Sequence, residues 1–390
     1  MNTKINYKAF IPYFICMIAY LFAAMVNIEL VEQTLILKEA SYSTLEKVHY
    51  YGILGYVASG LILFIFGNYF SFRKIVIFNL LIYTVSVFNL GFFEFSETFQ
   101  KIYPMIYSGT NLVIITTLLC YMFDDKKIHK TYSLSFLLLN ISIAYFLARL
   151  ILSYISPEKG LVDLSSIRKL VIVNIIPIII FLHVFILTPC FYSLKNKTVN
   201  SLIVLKNMDL ELLASFTIFY TIMTIFYGYE IHKFTDTLLM ISVSKIKYYI
   251  LIIMLFVSIF ASKFVFNYNM HKINILCIII LLFFLLSMPF WSTDMVYSSI
   301  YWFIIATTLY LYFYSNILML VAKFTHFYLH LAIILYMLAG AIGYYCSYII
   351  ADNTENADDE YNFLISICLV LVGLLIYYLY RYKKNNLEKW

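Results

Sequence analysis

Read from its start, the chain alternates long apolar runs with short polar breaks. The runs are about 18 to 25 residues, the length a helix rising 1.5 Å per residue needs to cross a ~30 Å hydrocarbon core. No hydrophilic stretch is long enough to fold as a soluble domain. The period-two alternation of a membrane β-barrel is missing, so helices are the way left to satisfy the backbone in lipid. The pattern predicts twelve spans. In the first half they lie at roughly 9–28, 50–67, 75–93, 103–123, 132–155 and 170–190. In the second half they lie at roughly 210–229, 246–265, 273–290, 298–321, 328–350 and 361–380. Lys4 and Lys8 precede the first run as in a secretory signal, but its length and the runs that follow favour an uncleaved helix.

Composition agrees with the pattern. Of 390 residues, 63% are hydrophobic and 12% charged, with a mean hydropathy of +0.88, more apolar surface than a soluble domain of this size buries. Charge then sets orientation. With the N-terminus in the cytoplasm, most of the 27 Lys and Arg residues fall on inner segments, among them Arg73, Lys74, Lys126, Lys127, Lys195, Lys197, Arg381, Lys383 and Lys384. Asp352, Glu355, Asp358, Asp359 and Glu360 collect in the last outer loop, which reads as a solvated segment. The net charge of +6 follows from this topology and points to no nucleic-acid partner. Both termini are expected in the cytoplasm, and the expected location is the cytoplasmic (inner) membrane of a bacterium. Cys16, Cys120, Cys190, Cys277, Cys346 and Cys368 lie in or beside spans without CxxC spacing and read as small apolar residues, not as metal ligands.

Segment 191–208, with Lys195, Lys197 and Lys206, divides the chain into an N-terminal six-helix bundle over 1–190 and a C-terminal one over 209–390, joined by a cytoplasmic linker. Each half carries a short basic turn between its second and third spans, Asn68 to Lys74 in one and Asn267 to Lys272 in the other. Parallel six-helix repeats of this kind build some secondary transporters. In the first turn, the stretch from Gly55 through Phe64, Asn68, Ser71 and Arg73 to Lys74 can be laid on the pattern G-x-L-x-D-R-x-G-R-[RK], with one extra residue, Phe72, before the basic pair. Arg73 and Lys74 match its terminal basic pair, while Phe64 and Ser71 stand for glycines and Asn68 for the aspartate. In these features the chain resembles the major facilitator superfamily (MFS). The resemblance implies an all-α polytopic membrane protein, twelve transmembrane helices in two six-helix bundles, with Asn68, Arg73 and Lys74 at a gate. The family's antiporter signature in the fifth helix, rich in Gly and Pro, is absent from Asn140 to Arg149, which argues against proton-driven export.

Polar side chains inside spans are costly, so they are candidates for function. Tyr13, Tyr20 and Asn27 recur every seven residues on one face of the first span, and Tyr103, Tyr107 and Asn111 step by four in the fourth. Thr217, Tyr220, Thr221, Thr224 and Tyr227 stripe the seventh; Tyr301, Thr308, Tyr312 and Ser315 stripe the tenth. The resemblance puts these four spans around a central cavity, although tyrosine also serves as packing bulk and interfacial anchor. Candidate solute-binding residues are therefore Tyr20, Asn27, Tyr107, Asn111, Tyr220, Thr221, Thr224, Thr308 and Tyr312. Arg149 joins them: it shares a helix face with Ser142, Tyr145 and Ser153, and its fork suits a carboxylate or phosphate. The competing reading has Arg149 snorkelling outward or pairing with Glu29 or Glu32. Glu29, Glu32 and His183 are candidates for proton or cation coupling, against the plainer readings of water-facing acids and an interhelical hydrogen bond. His326 and His330, one turn apart, read as interfacial residues and no metal site is expected.

The expectation is a secondary active transporter, a symporter or uniporter, moving a small polar solute, anionic if Arg149 binds it, by alternating access. No G-x-x-x-x-G-K-[ST] loop occurs, so a proton or sodium gradient is the expected energy source. The chain is expected to be no enzyme, to need no cofactor, to contact membrane lipids and to act as a monomer. The alternative is a membrane enzyme or flippase acting on lipid-linked saccharides.

Overall fold

In the computed structural model the chain is helical throughout the residues it describes. These are 7–37, 42–66, 70–92, 97–125, 164–192, 210–233, 270–287, 326–353 and 357–387, with isolated positions between 139 and 155 and between 304 and 324. The helices are α1 (Tyr7–Leu37), α2 (Tyr42–Phe66), α3 (Phe72–Phe92), α4 (Glu97–Asp124) and α5 (Leu164–Leu187). They continue as α6 (Leu210–Lys233), α7 (Met270–Ser287), α8 (His326–Asn353) and α9 (Ala357–Leu387). Among the described residues, six segments are long and apolar enough to cross a membrane: Lys8–Val31, Phe72–Phe92, Lys101–Asp124, Leu164–Leu187, Tyr328–Ala351 and Asn362–Lys384. The predicted eighth span lies outside the described residues, and the fifth and tenth fall on the isolated positions.

Local chemistry explains the helix ends. Ser71 caps α3, its Oγ accepting from the Lys74 amide at 3.3 Å. α5 stops before Pro189, and a short 3-10 turn, Pro189–Tyr192, follows. α1 runs on past the apolar run because its polar residues bond within the helix. Gln33 donates to Glu29 at 2.9 Å, and Thr34 donates to the Leu30 carbonyl at 2.7 Å.

The chain divides into two compact units. The first comprises Met1–Met208 and Thr325–Leu338; the second comprises Asp209–Phe324 and Ala339–Trp390. In the first, α2 packs on α4, α1 on α5, and α3 on both α4 and α5. The α2–α4 approach depends on Gly55, where a Cβ would collide with the Met105 backbone. One face of α3, through Phe72, Val76, Leu80, Tyr83, Val87 and Leu90, is buried at helical period, while Phe78, Leu81, Val85 and Phe88 are exposed. Both faces are apolar, as expected where lipid replaces water. Polarity, not hydrophobicity, therefore marks the inside. In the second unit α7 packs on α9 and α6 also touches α9. The six cysteines form no disulfide: Cys16, Cys120 and Cys277 are buried, and Cys190, Cys346 and Cys368 half-buried.

Candidate functional site

The polar stripes of α1 and α4 meet inside the first unit. Tyr20 donates to Asn111 Oδ1 at 2.5 Å, and Tyr103 donates to Asn27 Oδ1. The order is reversed along the two helices, so they run antiparallel, each carrying one phenol and one amide of the exchange. Tyr107 lies between the two pairs and donates to the Ala24 carbonyl at 3.0 Å. Asn27 is fully buried, and its Nδ2 makes no hydrogen bond.

Beside this exchange, Tyr83 on α3 donates to Asn174 Oδ1 on α5 at 3.1 Å, and Asn174 Nδ2 donates to the Ala23 carbonyl on α1 at 2.7 Å. The Tyr83 and Tyr107 rings lie 6.2 Å apart, joining the two groups. Sequence reasoning missed Tyr83 and Asn174. Asn174 stands alone in an apolar run, while Tyr83 shares its helix face with Asn79 and Ser86 at i−4 and i+3, a polar period that could have marked it.

In the second unit the candidate threonines turn back on their own helix. Thr221 donates to the Thr217 carbonyl at 2.9 Å and reaches the Ala339 carbonyl on α8 at 3.1 Å. Thr224 bonds the Tyr220 and Thr221 carbonyls, both at 2.9 Å. α8 approaches this face so closely that a Cβ on Gly343 would collide with Thr224 and with the Thr221 carbonyl. Thr308 is buried and donates to Ile304 at 2.7 Å. Tyr312 sits 3.4 Å from the Tyr378 hydroxyl of α9. A second amide pair, also passed over by the sequence reading, buries Asn274 on α7 against Asn316, Nδ2 to Oδ1 at 2.9 Å.

Arg73 donates from Nη2 to the Ile186 carbonyl at 2.9 Å and so caps the last turn of α5, where a cation also complements the helix dipole. Lys74 is exposed, and Asn68 lies outside the described residues. Around Arg73 the first unit is aromatic. Phe72 meets Tyr121 at 6.4 Å and His330 at 5.5 Å, and Phe185 meets Phe191 at 4.6 Å. Tyr13 bonds Asp125 at 3.2 Å in the same region. Glu29 is half-buried and accepts from Gln33, His183 is on the exposed face of α5, and the Glu32 side chain lies outside the described residues. Arg149 lies outside them too, as do Ser142, Tyr145 and Ser153. Among the described residues no cluster of His, Cys, Asp and Glu could hold a metal ion.

Apolar helices of membrane-spanning length, with amides and phenols bonded to one another in their interior, define a polytopic helical membrane protein. No family model matches the chain, and no curated protein does. Solved structures do. The MFS proton:xylose symporter XylE, solved with 6-bromo-6-deoxy-D-glucose bound, superimposes with a TM-score of 0.70 at 12% identity, over 96% of this chain and 94% of that one. The Escherichia coli fucose:proton symporter FucP matches with a TM-score of 0.67 at 12% identity, over 97% and 99%. The human organic anion transporter MFSD10 matches at 0.61 and 9% identity, over 93% and 98%. The fold is that of the MFS transporters.

Proposed function

We propose that this protein is a secondary active transporter that moves a small polar solute by alternating access of two six-helix halves. The observation that carries the reading is the interior exchange of Tyr20, Asn27, Tyr103, Tyr107 and Asn111 in a chain with an MFS fold. Hydrogen-bonding groups of this kind are costly in an apolar bundle and suit a solute rich in hydroxyl or carbonyl groups. XylE and FucP are named as proton symporters of sugars, so neutral sugars driven by a proton gradient are the first solutes to try. On this reading Asn27 and Asn111 share a central cavity with Thr221 and Thr308, Glu29, Glu32 or His183 takes part in coupling, and Arg73 and Lys74 act at the gate. The protein works as a monomer in a bacterial inner membrane.

A second reading makes the solute anionic. It rests on the cost of the Arg149 guanidinium within a predicted span and on the likeness to a protein named as an organic anion transporter.

One experiment tests both. Proteoliposomes are assayed for uptake of xylose, fucose and glucuronate with and without an inward proton gradient. Gradient-driven uptake of a sugar supports the first reading. Glucuronate uptake that Arg149→Lys weakens, with insertion unchanged, supports the second, because the charge survives and the fork does not. A wild-type protein that moves none of these solutes while cleaving or flipping lipid-linked saccharides would replace both.

A further inference from the structure

The exposed side chains of α7 and α9 form two apolar stripes that end in lysine. On α7, Leu276, Ile279, Phe283 and Leu286 are exposed at helical period, and Lys272 continues their stripe into the first turn. On α9, Ile376, Leu379 and Tyr380 are exposed, and Lys383 and Lys384 continue that stripe beyond the apolar run. The two helices pack together within the second unit. Aromatic rings hold the cations at this end: Lys272 Nζ lies 5.4 Å from the Tyr382 ring centroid, and Arg381 lies 5.7 Å from that of Tyr377, to whose hydroxyl its Nε donates at 3.2 Å.

Within the described residues of α7 and α9, no carboxylate lies at this end. α7 carries none, and the acids of α9 (Asp358, Asp359 and Glu360) sit near its other end. From Glu360 to Lys383 the helix rises by about 34 Å, far beyond a Debye length. A general excess of basic residues on one side of the membrane would not require them to extend the lipid-facing stripes of two packed helices. Where such apolar stripes face lipid, a lysine at their end would sit where acyl chains give way to headgroups, the position to which lysine snorkels.

We propose that Lys272 on α7, with Lys383 and Lys384 on α9, forms a headgroup site for a diacidic phospholipid such as cardiolipin, one phosphate against each helix. Two cationic stripe ends on adjacent helices fit two linked phosphates better than one. Tyr377 and Tyr382 orient the neighbouring cations at the same depth.

The test uses the full-length protein in phosphatidylcholine nanodiscs, titrated with cardiolipin or with phosphatidylglycerol at matched charge, and reads lipid affinity and thermal midpoint. Cardiolipin should bind more tightly than phosphatidylglycerol and raise the midpoint further. Each lysine changed to glutamine, at Lys272, Lys383 or Lys384, should weaken cardiolipin binding about fivefold, and rising salt should weaken it too. Lys74→Gln, an exposed base in the other unit, should leave it unchanged. The three lysines changed to arginine should keep it. The proposal is overturned if the triple glutamine variant binds cardiolipin like wild type, if the arginine variant loses binding, or if phosphatidylglycerol does as well at equal charge. None of these readouts depends on which solute is moved.

Discussion

In the first unit the polar stripe of α1 faces that of α4, and each phenol donates to an amide on the other helix. In the second, the threonine stripe of α6 bonds mainly to its own carbonyls, and α8 closes over it where glycine leaves room. Both stripes follow the same rule of helical spacing, yet they hold helices together by different means. One uses directional bonds between side chains. The other uses close backbone approach, with the hydroxyls satisfied locally. Long side chains with both donors and acceptors reach across an interface, whereas a threonine finds the carbonyl one turn back.

The sharpest way to break the contrast is steric. Gly343→Leu should be the most damaging change, costing about 3 kcal/mol or more, because the added side chain meets the Thr221 backbone as well as a movable hydroxyl. Loss of the folded fraction in detergent unfolding curves would show it. Next in size is Tyr103→Phe, which removes the donor to Asn27 Oδ1 and leaves an amide that already has a free Nδ2. About 1–2 kcal/mol is expected, and a double-mutant cycle with Asn27→Leu should return a coupling of about 1 kcal/mol. Tyr20→Phe with Asn111→Leu should give a similar but smaller coupling, since Asn111 is only half-buried. Smallest of all, Thr221→Val should cost about 0.5 kcal/mol, because most of what it removes is a bond to its own helix. A coupling near zero for Tyr103 and Asn27, or a Thr221→Val cost above that of Tyr103→Phe, would erase the distinction between the stripes.

Six of the predicted spans, the first, third, fourth, sixth, eleventh and twelfth, were legible among the described residues because apolar run length measures the bilayer directly. Helix ends were less so: hydropathy reports where hydrocarbon stops, while α1 continues to Leu37 through Glu29, Gln33 and Thr34, which bond along the helix. The faces of Tyr20 and Asn27, and of Tyr107 and Asn111, could be read from spacing. Their pairing could not, because the period of one helix does not say which neighbour it meets. Asn174 escaped for the opposite reason: it is a single amide in an apolar run, and a period needs at least two points. Asn316 continues the spacing of Thr308 and Tyr312 by one more turn and was passed over, and Asn274 sits just past the basic turn, where an amide reads as part of the polar break. Arg73 was legible as a charge at a conspicuous turn, but its bond to the Ile186 carbonyl depends on α5 ending beside α3, which only the folded chain reveals.

The burial of the cysteines has a practical reach in reagent chemistry. Cys16, Cys120 and Cys277 are buried, so a bulky, charged maleimide should not reach them while the protein is folded. Only Cys190, Cys346 and Cys368 need be replaced to give a background silent to that reagent, with the three buried thiols left to keep the packing intact. A single cysteine placed at Asn356 in that background would then report which side of the membrane the segment before α9 occupies, and labelling from outside is the expected result. The three buried thiols would report something else: their labelling would appear only as the helices come apart, making the same reagent a clock for unfolding in an intact membrane.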